Sequence, residues 1–183
     1  MALNCKVNVG VSKDCALLPG GVKKIALINL SDITINDAEG TGKGVLVKSE
    51  ITLGTGAKWM VWETATDTTN ATNTLQTGAN PDQKSFQQTV AGTIVGWPED
   101  LLGDELVNTI LADVVIAVKE NSGKVFIYGY DNGLKANQFD YATGSAGTDL
   151  NGTTFSFQGT QYQAPYVLDA AFTWDELVTM VGS

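Results

Sequence analysis

Residues 85–95 (SFQQTVAGTIV) alternate between two faces. Phe86, Gln88, Val90, Gly92 and Ile94 fall on one, and Gln87, Thr89, Ala91, Thr93 and Val95 on the other. A period of two fits a half-buried β-strand. The first face is apolar apart from breaks at Gln88 and Gly92, and the second is mostly polar. Most of the chain is divided into pieces of this length by turn-forming residues. That grammar restricts it to sheets packed on themselves, as a β-sandwich or a barrel.

The other strand candidates are 22–30, 45–53, 58–66, 114–120, 124–130, 153–159 and 164–172, which makes about eight in all. Gly54-Thr55-Gly56 predicts a hairpin between 45–53 and 58–66. Asn121-Ser122-Gly123 is a second tight turn, because Asn and Gly tolerate positive φ. Residues 1–20 read as an irregular N-terminal arm ending near Pro19-Gly20-Gly21. Residues 31–44 read as a loop. The Thr/Asn/Gln-rich stretch at 64–82 reads as a loop or a projecting hairpin with its tip between Asp67 and Asn73. Residues 134–150, rich in Gly, Ala, Ser and Thr, read as a long loop.

One segment has a different period. Leu102, Leu106 and Ile110 recur every four residues, with Val107 and Leu111 beside them, after Pro98-Glu99-Asp100. Proline near the first helical position and acids in the first turn suit a helix start. The spacing predicts an amphipathic helix over about 98–112, packed on the sheets. Thr173-Trp174-Asp175-Glu176 fits a capping box and predicts a short helix over 175–181. The expectation is one β domain over 1–183.

Composition bears on chemistry more than on fold. The chain has no histidine and no arginine; its 11 basic residues are all lysines. The usual acid/base side chain near neutral pH and the bidentate phosphate grip are both missing, which argues against a familiar enzyme. Only 17% of residues are charged, and neutral polar residues take their place. Low surface charge promotes association. A net charge of −9 opposes binding to nucleic-acid phosphates. Cys5 and Cys15 follow no signal-like apolar run, so they are expected as free thiols in a reducing cytoplasm. No membrane span is expected.

Motifs with possible chemistry are weak. Gly40-Thr41-Gly42-Lys43-Gly44 lacks the spacing and the Ser/Thr of a phosphate loop, and reads as a flexible turn. Asp131-Asn132-Gly133 lacks the alternating ligands of a calcium loop and reads as a turn. Glu99-Asp100 and Asp104-Glu105 read as a solvated acidic helix face. Trp59 and Trp62, with Tyr128 and Tyr130, offer a sugar-stacking platform as the alternative to aromatic packing. The two tryptophans lie on opposite faces of one strand, so at most one is expected to face a core. No catalytic residue, cofactor or metal ligand is expected.

Three features carry a family resemblance. Gly21-Val22-Lys23-Lys24-Ile25 opens the first strand after a short arm. Gly123-Lys124-Val125-Phe126 leads through Gly129 to Asn132-Gly133-Leu134. Asp149-Leu150-Asn151-Gly152 leads through Phe155, Phe157 and Gly159 to Ala164-Pro165. In this order they resemble phage major tail tube proteins. The resemblance implies a β-sandwich or barrel with one flanking helix at 98–112. It implies hexameric rings stacked into a hollow tube whose inner strands join into one continuous barrel. Other copies of the chain and other tail proteins (tape measure, terminator, baseplate) would be its partners. DNA would pass through a lumen with a typically acidic wall, without sequence-specific binding. The protein would be located in the virion tail after assembly in the host cytoplasm. Residues 1–20 and 64–82 become candidates for ring-to-ring contact. The residues expected at subunit contacts are Val22, Ile25, Leu27, Trp59, Trp62, Thr74, Leu75, Phe86, Val90, Leu102 and Leu106. Other virion roles (connector, tail terminator, capsid decoration) and a carbohydrate-binding adhesive domain are the alternatives.

Overall fold

The computed structural model describes residues 20–36, 44–79, 83–96, 99, 103–146, 149 and 151–182. Its centre is a six-stranded sheet. The strands are β1 (Val22–Asn29), β3 (Val45–Leu46), β5 (Met60–Trp62), β8 (Val114–Glu120), β9 (Val125–Tyr128) and β12 (Tyr166–Leu168), in the order β3-β12-β9-β8-β1-β5. All neighbours are antiparallel except β3 and β12. A four-stranded antiparallel sheet covers one face, in the order β10 (Lys135–Ala142), β11 (Gly152–Gln161), β7 (Lys84–Val95), β6 (Asn70–Thr77). The other face carries a two-stranded sheet, β2 (Ile33–Ile35) with β4 (Ile51–Leu53), and the C-terminal helix α2 (Trp174–Val178). A longer helix, α1 (Asp104–Leu111), lies beside β10.

The chain is therefore mainly β, a sandwich with a third layer. Because the central sheet is covered on both sides, its strands are apolar at successive positions rather than alternate ones. Ile25, Leu27, Ile116 and Val118 face the four-stranded sheet, where they meet Val90, Phe155 and Phe157. Ala26, Ile28, Val115 and Ala117 face the other way, toward Trp59, Phe172, Trp174 and Leu177. Burial in the first of these cores pushes the Tyr128 hydroxyl up to about 12, with the nearby Glu120 carboxylate adding to the effect.

The two breaks in the β7 face have structural reasons. Gln88 is only 2% exposed, and its amide satisfies backbone at a strand end. Its Oε1 accepts from Gly129 N at 2.8 Å and its Nε2 donates to Gln163 O at 3.0 Å. Gly92 leaves room for its neighbours. A β-carbon there would sit 2.6 Å from Thr69 Oγ1 and 2.9 Å from Phe155 Cζ.

The turn at 129–134 is held by the same kind of exchange. Gln161 Oε1 accepts from the Asp131 and Asn132 amides at 2.9 and 3.0 Å, and its Nε2 donates to Gly133 O at 2.8 Å. The Asp131 carboxylate accepts from the Tyr162 and Gln163 amides. These bonds use Asp131 as a structural tie between two segments and agree with the reading of a turn.

Several boundaries differ from the sequence reading. The expected strand 45–53 is broken by a 3-10 turn at Lys48–Glu50, where the Glu50 carboxylate accepts from Val47 N at 2.8 Å. Its halves join different sheets. The expected hairpin between 45–53 and 58–66 does not form. β4 pairs with β2 and β5 with β1, while residues 56–58 pair with the C-terminal stretch through Gly56 N to Gly182 O (3.0 Å) and Gly182 N to Ala57 O (2.9 Å). Residues 70–77 are a strand paired with β7, so the polar hairpin exists, and it is closed by Gly78 N donating to Gln83 O at 2.9 Å rather than at 67–73. The expected loop at 134–150 contains the edge strand β10. A register shift between Ala136 and Gln138 breaks its period, so Ala136 and Phe139, three residues apart, both face the core. The last strand stops at Leu168, where Asp169 turns the chain. The described residues hold twelve strands against the expected eight, several of them only two or three residues long.

The helix expected over 98–112 runs only from Asp104 to Leu111, because Gly103, with φ of +62°, is its non-helical N-cap. None of its residues is buried; Leu106 is half-buried, and Val107, Ile110 and Leu111 are exposed. The terminal helix is capped as expected: Thr173 Oγ1 accepts from Glu176 N, and the Glu176 carboxylate accepts from Thr173 N and Oγ1. Those bonds hold Glu176 below the usual carboxylate range.

Candidate assembly surface

Among the described residues, the four-stranded sheet ends in an unpaired edge at β6. Asn70–Thr77 pairs with β7 without a register shift over its whole length. All of its residues except Ala71 are exposed. It contains no charge and no proline. A strand edge of this kind displays unpaired amides and carbonyls and is a template for another strand, unless charge, proline or a bulge guards it. β10, the opposite edge, has such guards: Lys135, Asp140 and a register shift between Ala136 and Gln138.

The outward face of the same sheet is mostly neutral and polar, with Val95 exposed at one end. Thr72, Thr74 and Gln76 on β6 stand beside Gln87, Thr89 and Thr93 on β7, followed by Thr154, Gln158 and Thr160 on β11. The register places Lys135 and Asp140, of opposite sign, on this face of β10. The result is a carpet of hydroxyls and amides about as long as β7, whose 12 residues span roughly 40 Å.

Of the expected contact positions, Thr74 and Leu75 lie exposed on β6, and Val22, Phe86 and Leu106 are half-buried. Ile25, Leu27, Trp59 and Val90 are buried in the chain's own cores. Leu102, Cys5, Cys15, the arm at 1–19 and the turn at 40–43 lie outside the described residues. The expectation that at most one of Trp59 and Trp62 faces a core is also corrected. The strand is an edge of the middle layer, so Trp59 enters one core and Trp62 packs against the other. Trp62 meets Phe155 edge-on at 5.4 Å and Phe139 at 6.4 Å. Trp59 is buried and offers no ring for stacking a sugar, while Trp62 is half-buried at the side of a groove.

An open groove of about 910 Å³ runs between β5 and α1. Trp59, Met60, Trp62 and Ile94 supply apolar lining, and Asp32, Glu63 and Glu105 supply carboxylates. Among the described residues, no three potential ligands of His, Cys, Asp or Glu type come together as a metal site. Neither described helix is long and apolar enough to cross a membrane. The signal that sequence reading missed was the absence of charge across 68–79, next to a strand with strict alternation. No protein-family model matches the chain, and no curated protein sequence matches it either.

Proposed function

We propose that this protein is a non-enzymatic structural subunit that polymerises through its four-stranded sheet, as a tail tube subunit of a phage virion. The observation that carries the reading is the unguarded edge β6. β10, whose Lys135 and Asp140 stand on the outward face and whose outer backbone no described strand pairs, offers the second edge, and the sheet continues from copy to copy when β6 of one meets β10 of the next. Such a head-to-tail contact closes into a ring. Closure removes the edges that would otherwise recruit unrelated strands. The sixfold number, the stacking of rings, the location in the tail and the passage of DNA come from the resemblance stated above. The hydroxyl and amide face would then line the lumen. It carries Lys135 and Asp140 rather than the acidic lining the family pattern implies.

Negative-stain microscopy and sedimentation of the purified protein test this. Rings and short tubes are expected. Thr74→Lys with Gln76→Lys should abolish them by placing two like charges on the edge, while the monomer melts within about 0.5 kcal/mol of the parent. A monodisperse monomer at every concentration and salt would refute the proposal. In intact particles, antibody labelling along the tail shaft is expected; labelling confined to the head or a tail end would refute the tube assignment.

A further inference from the structure

Among the described residues, β5 pairs with β1 on one side and with no strand on the other. A short edge offers few backbone groups, which is itself a guard. Its side chains tell against a bare edge, however. Met60 is 52% exposed and Val61 45%, and they point to opposite faces of the strand, so apolar surface lies open on both. The groove between β5 and α1 runs along this edge. Met60 and Trp62 stand with Leu27 and Ile94 in its apolar lining. Its charged lining is Asp32, Glu63 and Glu105 against Lys58, three carboxylates to one ammonium. An occupant that fits is extended, apolar on one face and positively charged.

One segment of this chain has that description. Residues 6–13, outside the described residues, read KVNVGVSK. Val7, Val9 and Val11 alternate with Asn8, Gly10 and Ser12, the period of a strand with one apolar face. Lys6 and Lys13 stand at its two ends, with no acid between them.

The connection is long enough. Gly20, where the described structure begins, is held at the start of β1 by Asn121, whose side chain donates to Gly20 O at 2.8 Å. A strand beyond β5 lies two strand spacings from β1, about 10 Å, and its Glu63 end is about 13 Å along β1 from Gly20, a gap of roughly 17 Å. The seven residues from Lys13 to Gly20 span up to about 23 Å. They suffice when the segment runs parallel to β5, which leaves Lys13 at the Glu63 end and Lys6 at the end with Asp32 and Glu105. The opposite direction leaves roughly 25 Å to cross, beyond that reach.

We propose that residues 6–13 dock on β5 of their own chain as a further strand of the central sheet, with Val7, Val9 and Val11 in the groove beside Met60 and Trp62. Backbone bonds to the open edge hold the segment, and the alternate side chains fix its register. The opposite charges of segment and groove favour this pairing over a chance strand. The contact lies within one copy, so it stands whether or not the lateral ring contact forms.

Hydrogen exchange of the full chain, read by mass spectrometry, tests this. At about 1 μM protein, the amides at 7–11 should exchange at least about tenfold more slowly than those of a free chain. Val9→Glu puts a carboxylate into an acidic groove, and Met60→Lys removes apolar lining and faces two lysines. Each variant should return 7–11 to free-chain exchange and speed exchange at 60–63, while β8 stays protected as the gauge of the fold. If one variant exposes β8, the other decides. Free-chain exchange at 7–11 in the parent would overturn the proposal, as would protection that survives these substitutions. So would protection that appears only as the protein is raised to about 100 μM, the mark of a segment supplied by a second copy.

Discussion

Replacing Gln88 with leucine isolates one polar group placed inside an otherwise apolar face. The substitution keeps the bulk and removes two hydrogen bonds. Gly129 N–H is buried and loses its acceptor at 2.8 Å, which costs about 1–3 kcal/mol as an unsatisfied donor. Gln163 is exposed, so its carbonyl turns to water and the lost 3.0 Å bond costs about 1 kcal/mol or less. Leucine returns about 1 kcal/mol through its apolar surface. The net expectation is a loss of about 2 kcal/mol. With a urea m-value of about 2 kcal/mol/M, the midpoint should fall by about 1 M at unchanged slope. The melting temperature should fall by roughly 4–8 °C for a chain of this size. Thr89→Leu, one residue away on the outward face, is the control and should change stability by less than about 0.5 kcal/mol. A Gln88→Leu variant as stable as the parent, or no worse than the control, would refute the assignment of Gln88 as the partner that closes the end of β9.

Gly92→Ala should destabilise by about 1–3 kcal/mol in chemical unfolding, because its β-carbon overlaps Thr69 and Phe155. Adding Thr69→Ala should recover part of that loss, and strict additivity would show that the two do not touch. Tyr128 should remain un-ionised in an ultraviolet titration until about 12. Its folded value lies above its unfolded 10.0, so its contribution is intact below about 10 and is lost as the pH rises toward 12. Thr173→Ala should cost about 1 kcal/mol by removing the cap of α2. In the parent, Glu176 is held below the usual carboxylate range, so the cap should persist above that range and loosen as acid protonates it; a carboxyl titration by NMR reads this directly.

Strand positions with strict alternation or near-continuous apolar runs could be read from the sequence: β1, β7, β8 and β11 fall within a residue or two of their expected bounds. So could the α2 cap and the turn at Asn121-Ser122-Gly123, because local chemistry decides them. The pairings could not be read in this way. Nothing local in 45–53 says that Glu50 turns inward and splits the segment between two sheets. Edge strands were the other failure. Lys135–Ala142 and Asn70–Thr77 are polar because they are largely exposed, and so thin a buried face resembles a loop. The same property left β6, the centre of the candidate surface, readable as either a loop or a projecting hairpin. Trp59 and Trp62 were misjudged because a strand covered on both faces was read as a strand covered on one.

The double covering of the central sheet has a consequence for how its strands choose their partners. A slip by one residue usually throws apolar groups into water, and that penalty fixes alignment. Here a slipped β1 would still enclose its apolar residues, but it would carry Lys24 or Asn29, which flank the buried run, into an enclosed place. Volume opposes the slip as well. Ala26 sits directly across from Ala117 beneath the tryptophans, and Ile25 and Leu27 occupy the roomier side with Ile116 and Val118. Alignment in this sheet is thus set in part by the difference between a methyl group and a branched butyl group, and enlarging either alanine would erase the distinction that tells the strand which way up to lie.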